Sequence, residues 1–127
     1  SYQRERVQKI CEKYDLNLVA PLWNIDEENY MEKLLEENFE VMITEVAAQG
    51  FGEDWLGRII DKKALEDLKN LEKDHRIHLA GEGGEYETLV LDCPLFKKKI
   101  QIEDSKIEWR GDSGGLNILE ASLAPKP

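Results

Sequence analysis

The sequence predicts a mixed α/β fold, with a parallel βα part followed by a small antiparallel strand meander. Two patterns predict it. Upstream of Gly81, stretches with apolar residues at helical spacing alternate with apolar, β-branched runs; downstream of it, short strand candidates follow one another with only turn residues between them.

Val7, Ile10, Cys11 and Tyr14 mark a first helix, and LNLVAPLW after it reads as a short strand closed by Pro21. Asn24 with Glu27 three positions on fits a helix cap, and Tyr30, Met31, Leu34 and Leu35 give the second helix an apolar face running to about Glu37. FEVMITEVAA reads as a buried strand. Asp61 opens a third helix in which Leu65, Leu68 and Leu71 face inward, and RIHLAG supplies another short strand. This alternation favours parallel pairing. Beyond it, YETLVLD, KKIQI, KIEW and LNILEASLA are separated by EDS and GDSGG, as in an antiparallel meander.

At 127 residues the chain is read as one domain, 1–127, and its helical opening without Met is expected of a piece of a longer protein. With 27 acidic against 17 basic residues, the net charge of −10 argues against a nucleic-acid partner and favours a cationic ligand or a basic protein. Cys11 and Cys93 form no C-x-x-C pair, so neither a disulfide framework nor a zinc site is expected. No apolar run has the length of a membrane span and no secretory signal opens the chain, so a cytoplasmic location is expected.

The octapeptide GEGGEYET, Gly81 to Thr88, crowds carboxylates and glycines into a loop that runs into the apolar strand LVLDC. Gly81, Gly83 and Gly84 permit positive φ and close approach of another molecule. If the strand begins near Glu85, alternation places Glu85 and Glu87 on one face with Leu89 and Leu91. Two such charges ~5 Å apart repel by roughly 3 kcal/mol at an effective dielectric of 20. Either one is protonated or a cation lies between them, unless the loop is a solvated acidic turn with Arg or Lys neighbours. His75, His78 and Glu82 also allow a metal reading, against which a helix end at His75 explains the same residues. GDSGG lacks the strand-then-helix context of a phosphate loop and reads as a hairpin turn.

GEGGEYETLVLDCP resembles the signature of the diphthine-ammonia ligase family, and SYQRERVQKI and GFGEDWLGR extend the likeness over essentially the whole chain, as the C-terminal half of those proteins. The resemblance implies ATP-dependent amide ligases of the adenine-nucleotide alpha-hydrolase type. They turn the carboxylate of diphthine, on a translation elongation factor, into diphthamide through an acyl-adenylate that ammonia displaces. It further implies a separate N-terminal half with a Ser-Gly-Gly-x-Asp-Ser loop for ATP and Mg, so that this chain alone is inactive and holds no cofactor.

On this resemblance Glu82, Glu85 and Glu87 are the catalytic candidates that hold ammonium and take its proton, with the N–H groups of Gly83 and Gly84 facing the oxyanion. Gly81, Gly83, Gly84, Tyr86, Thr88, Arg58 and Trp55 are expected to bind substrate. Tyr86, Trp55 and Trp23 are candidates to face the trimethylammonium group of diphthine. Gln3 and Arg6 are expected toward the nucleotide, and no metal site is expected. The alternatives are an acidic protein-binding module without chemistry and a small metal-dependent hydrolase on His75, His78 and Glu82. A missing half also predicts open strands near Leu18 and Val41–Val46, and hence a homodimer through the N-terminal region.

Overall fold

The computed structural model describes residues 2–127. The element order is α1 (Tyr2–Lys13), α2 (Glu27–Glu36), β1 (Glu40–Val46), a 3₁₀ turn at Glu53–Trp55, α3 (Lys62–His75), β2 (Tyr86–Asp92), β3 (Lys98–Trp109) and β4 (Gly114–Pro125). The strands form one sheet in the order β2-β1-β4-β3. The mixed α/β class and the antiparallel C-terminal strands are as expected.

The expected parallel pairing is not found, for every described strand pair is antiparallel. The reason lies between β1 and α3. Residues 57–60 run back along β1, with Ile43 N–H donating to the Arg58 carbonyl at 2.9 Å and Ile60 N–H to the Val41 carbonyl at 2.8 Å. This extra pass lets α3 return the chain to the end where β1 finished, and β2 starts there with Tyr86 opposite Val46. A helix alone would have given a parallel crossover.

This pass also removes the expected open edge at Val41–Val46. β2 lies on one side of β1, and Gly57–Ile60 and the start of β4 share the other. LNLVAPLW forms no strand either: Leu16 and Val19 are 61% and 80% exposed, and Trp23 N–H closes a turn on the Ala20 carbonyl. Asn24 takes φ 58°, a conformation Asn tolerates, so the cap of α2 falls to Asp26, which accepts the Asn29 N–H at 3.1 Å. Asp61 caps α3 as expected, at 2.8 Å from Ala64 N–H.

The EDS segment is not a turn. KKIQI and KIEW belong to one strand, and the ladder with β4 absorbs Asp104 through register shifts. GDSGG is the hairpin turn, closed by Arg110 N–H on the Ser113 carbonyl at 2.8 Å.

The core joins Met31 of α2, Ile43 and Val46 of β1, Leu65 and Leu68 of α3, and Tyr86 at the start of β2. Burying such a Leu or Ile side chain contributes about 1.5–3 kcal/mol. α1 buries none of its residues.

Candidate functional site

The loop between α3 and β2 begins where Arg76 adopts φ 53° and ends the helix. Ile77 and Leu79 then turn into the core, so RIHLAG forms an anchored turn and not a strand. Gly81 N–H donates to the His78 carbonyl at 2.9 Å, and Gly84 N–H to the Gly81 carbonyl at 3.1 Å. Glu85, 9% exposed, folds back over this turn. One of its oxygens accepts His78 N–H and the other Gly83 N–H, both at 3.0 Å. A side chain at Gly83 would collide with the Glu85 carboxylate and the His78 ring. Gly83 is therefore a requirement of close approach, while Gly81 and Gly84 serve by positive φ.

Two of the expectations for this loop change. The N–H of Gly83 and that of Gly84 are both engaged inside the loop, so neither faces outward for an oxyanion. The carboxylates of Glu85 and Glu87 do not form a pair on one strand face. β2 starts at Tyr86, Glu85 is bonded to the loop backbone, and Glu87 is exposed opposite Glu45 of β1. Tyr86, Thr88 and Val90 instead share the side that lines a cavity against α2.

That cavity, about 240 Å³, has Tyr30, Leu34 and Leu35 of α2 as its opposite wall. Glu82, exposed, is its one charged lining residue among those described. Glu27 supports the site from α2, accepting Leu79 N–H at 2.8 Å with one oxygen, while the other lies 3.7 Å from His78 Nδ1. The Tyr86 hydroxyl donates to the Leu79 carbonyl at 2.6 Å. Burial first, then the charges of Glu27, Glu85 and Glu82, pushes this hydroxyl above its ordinary range.

Arg58 and Trp55 lie apart from the loop's hydrogen bonds. The Arg58 guanidinium packs 4.5 Å over the Trp55 ring and pairs with Asp67 of α3 at 2.6 Å. Its hydrogen bond, with that of Lys63, holds the Asp67 carboxyl below its ordinary value. Trp55 is buried, and Phe51 lies between it and Tyr86, at ring-centroid distances of 5.2 and 5.9 Å. Trp23 stacks under Arg4, and Gln3 and Arg6 are exposed on α1.

His75 packs beside Gly50, and among the described residues no three of His, Cys, Asp or Glu are grouped to hold a metal ion. Sequence reasoning missed Glu27 and Tyr30 as site residues. Glu27 reads as a first-turn helix carboxylate, and nothing local signals a bond to a residue 52 positions on.

Fold and loop together define an α/β protein with a small cavity beside a glycine-rich acidic loop. Residues 26–124 match the family model of the diphthamide synthase C-terminal domain, and the chain belongs to that family. It is 42% identical over 107 residues to the diphthine–ammonia ligase of Homo sapiens, covering 84% of this chain and 40% of that protein. The enzyme of the same name from Danio rerio is 40% identical over 112 residues, 87% of this chain and 44% of the relative. That from Schizosaccharomyces pombe is 38% identical over 107 residues, where the chain spans 18% of the relative's length. No helix among the described residues is long and apolar enough to cross a membrane.

Proposed function

We propose that the chain is the substrate-side, C-terminal part of an ATP-dependent diphthine–ammonia ligase, which joins ammonia to the carboxylate of diphthine on a translation elongation factor. The observation that carries this reading is the family match over residues 26–124, which includes a self-closed GEGGEYET loop with one carboxylate on a cavity. Glu82, the loop carboxylate that lines the cavity and is not bonded to backbone, holds the cationic reactants and takes the proton that ammonium releases. Glu85 positions the loop. Tyr86 and Thr88 line the substrate side, and the net charge of −10 suits a basic partner surface in the cytoplasm.

ATP and Mg belong to other parts of the enzyme in this reading. The N-termini of α2 and α3 are filled by the side chains of Asp26 and Asp61, and Gly114 and Gly115 are paired in β4. These residues do not fit a triphosphate, which needs free N–H groups at a helix start. By itself the chain has no ligase activity.

The test is reassembly. Mixing the chain with an ATP-loop half is expected to restore ATP-to-AMP conversion dependent on the diphthine-bearing factor. Binding of the factor without turnover, in a mixture that forms the complete complex, would favour the acidic binding module instead.

A further inference from the structure

The cavity under the loop has a distinct chemistry. Leu34, Leu35, Val41 and Val90 give it an apolar floor, and Tyr30 and Tyr86 add aromatic rings. Among the described residues no Lys, Arg or His lines it. Its single charge, Glu82, has no hydrogen-bond or ion-pair partner among the described residues, whereas the nearby Glu27 and Glu85 are occupied by the N–H groups of Leu79, His78 and Gly83. A small anion finds hydroxyls but no cationic side chain here to balance its charge against Glu82. A hydrated metal ion finds one carboxylate where it needs several oxygen ligands to replace its water. A cation whose charge is spread under an apolar shell loses little by leaving water, and is attracted both by ring faces and by the lone carboxylate. At about 240 Å³ the cavity is smaller than the ~300 Å³ at which pockets for whole drug-sized ligands begin, so it suits a headgroup.

The geometry points to this cavity as a subsite for an alkylated ammonium group, with Tyr30 and Tyr86 as aromatic walls and Glu82 as the counter-charge. This deepens the function proposed above and rests on it. The substrate's cationic headgroup is anchored beside Glu82, the carboxylate that also takes the proton from ammonium.

The test is an NMR titration of the chain with choline and with its uncharged isostere, 3,3-dimethylbutan-1-ol. Choline is expected to shift the amides of Tyr30, Glu82, Tyr86 and Val90 saturably and to bind at least about fivefold tighter than the alcohol, the difference a cation–π contact and one carboxylate supply. Glu82→Gln, an exposed change that leaves the fold intact, should bring the two affinities within about twofold. No saturable shift up to about 50 mM choline, shifts scattered over the acidic surface, or equal binding of the alcohol to the unaltered chain would overturn the subsite. Failure here while Glu82→Gln still disables the assembled ligase removes the subsite alone. Selective choline binding beside an assembled enzyme indifferent to the loop supports the subsite and removes the ligase reading.

Discussion

The carboxylate of Glu85 accepts the backbone N–H of His78 at 3.0 Å, seven residues back along the chain, and so ties the start of β2 to the end of the α3 turn. Its second oxygen holds Gly83 N–H at the same distance, which makes one side chain the internal clasp of the loop. Glu85→Ala leaves both N–H groups without this acceptor, and charged hydrogen bonds of this kind contribute about 1.5–3 kcal/mol each. A loss of about 2–4 kcal/mol is expected in urea denaturation, with Glu85→Gln between it and the unaltered chain. A change under about 0.5 kcal/mol, the range of ordinary surface substitutions, would show that the loop is held by other means.

Tyr86→Phe removes a buried donor to the Leu79 carbonyl and should cost about 1 kcal/mol at neutral pH. The difference from the unaltered protein should then change with pH. Because burial and neighbouring carboxylates raise the folded-state value, the group contributes in full below pH ~10, its ordinary value. Above that pH the unfolded chain releases the proton while the folded one keeps it, so stability falls by about 1.4 kcal/mol per pH unit through this group. Denaturation of both proteins between pH 8 and about 11 measures it; parallel curves would place the hydroxyl in contact with water.

Lys126 ties the end of the chain to the turn after β2. Its Nζ lies 2.7 Å from Asp92 Oδ1 and donates to the carbonyls of Cys93 and Phe96 at 3.0 Å. Asp92 Oδ1 is buried and accepts no hydrogen bond from any other described residue. Lys126→Met should destabilise by about 2 kcal/mol, less than a fully buried pair because both side chains retain some exposure. Adding Asp92→Asn should recover part of the loss, and additive losses would exclude the coupling.

Isothermal titration of the chain with Mg-ATP should give no binding tighter than about 100 μM, roughly −5.5 kcal/mol. Asp26 and Asp61 already occupy the starts of α2 and α3, and a carboxylate there repels the phosphate that the helix end would attract. Tighter binding would require a nucleotide site that these residues do not explain.

Local signals were legible where they acted alone. Asp61 with the leucines of α3, the strand 40–46, the GDSGG turn and the GEGGEYET loop could be read from the sequence because cap, period and turn residues agreed there. Strand direction was not legible, since it depends on residues 57–60 pairing back along β1, and nothing in GRII announces that pass. The Glu85–Glu87 pair failed for a similar reason. Alternation assumes that both residues lie in the strand, but the nearby N–H groups of His78 and Gly83 bind Glu85 before the strand starts. From sequence Glu27 reads as a helix-start residue because its bond to Leu79 exists only after α2 and the loop meet. In LNLVAPLW, β propensity found no neighbouring strand to pair with.

The most direct test is kcat/KM of the complete ligase carrying Glu82→Gln, measured with the diphthine-bearing factor and ammonium beside its melting temperature. Glu82 is exposed, makes no bond among the described residues and lines the cavity, so melting should stay within about 2 °C. Specific activity should fall about 100-fold or more, the usual cost of losing a charged group that holds or deprotonates a reactant. Activity within about threefold of the unaltered enzyme would contradict the account, because the loop would then hold its shape without acting on the substrate.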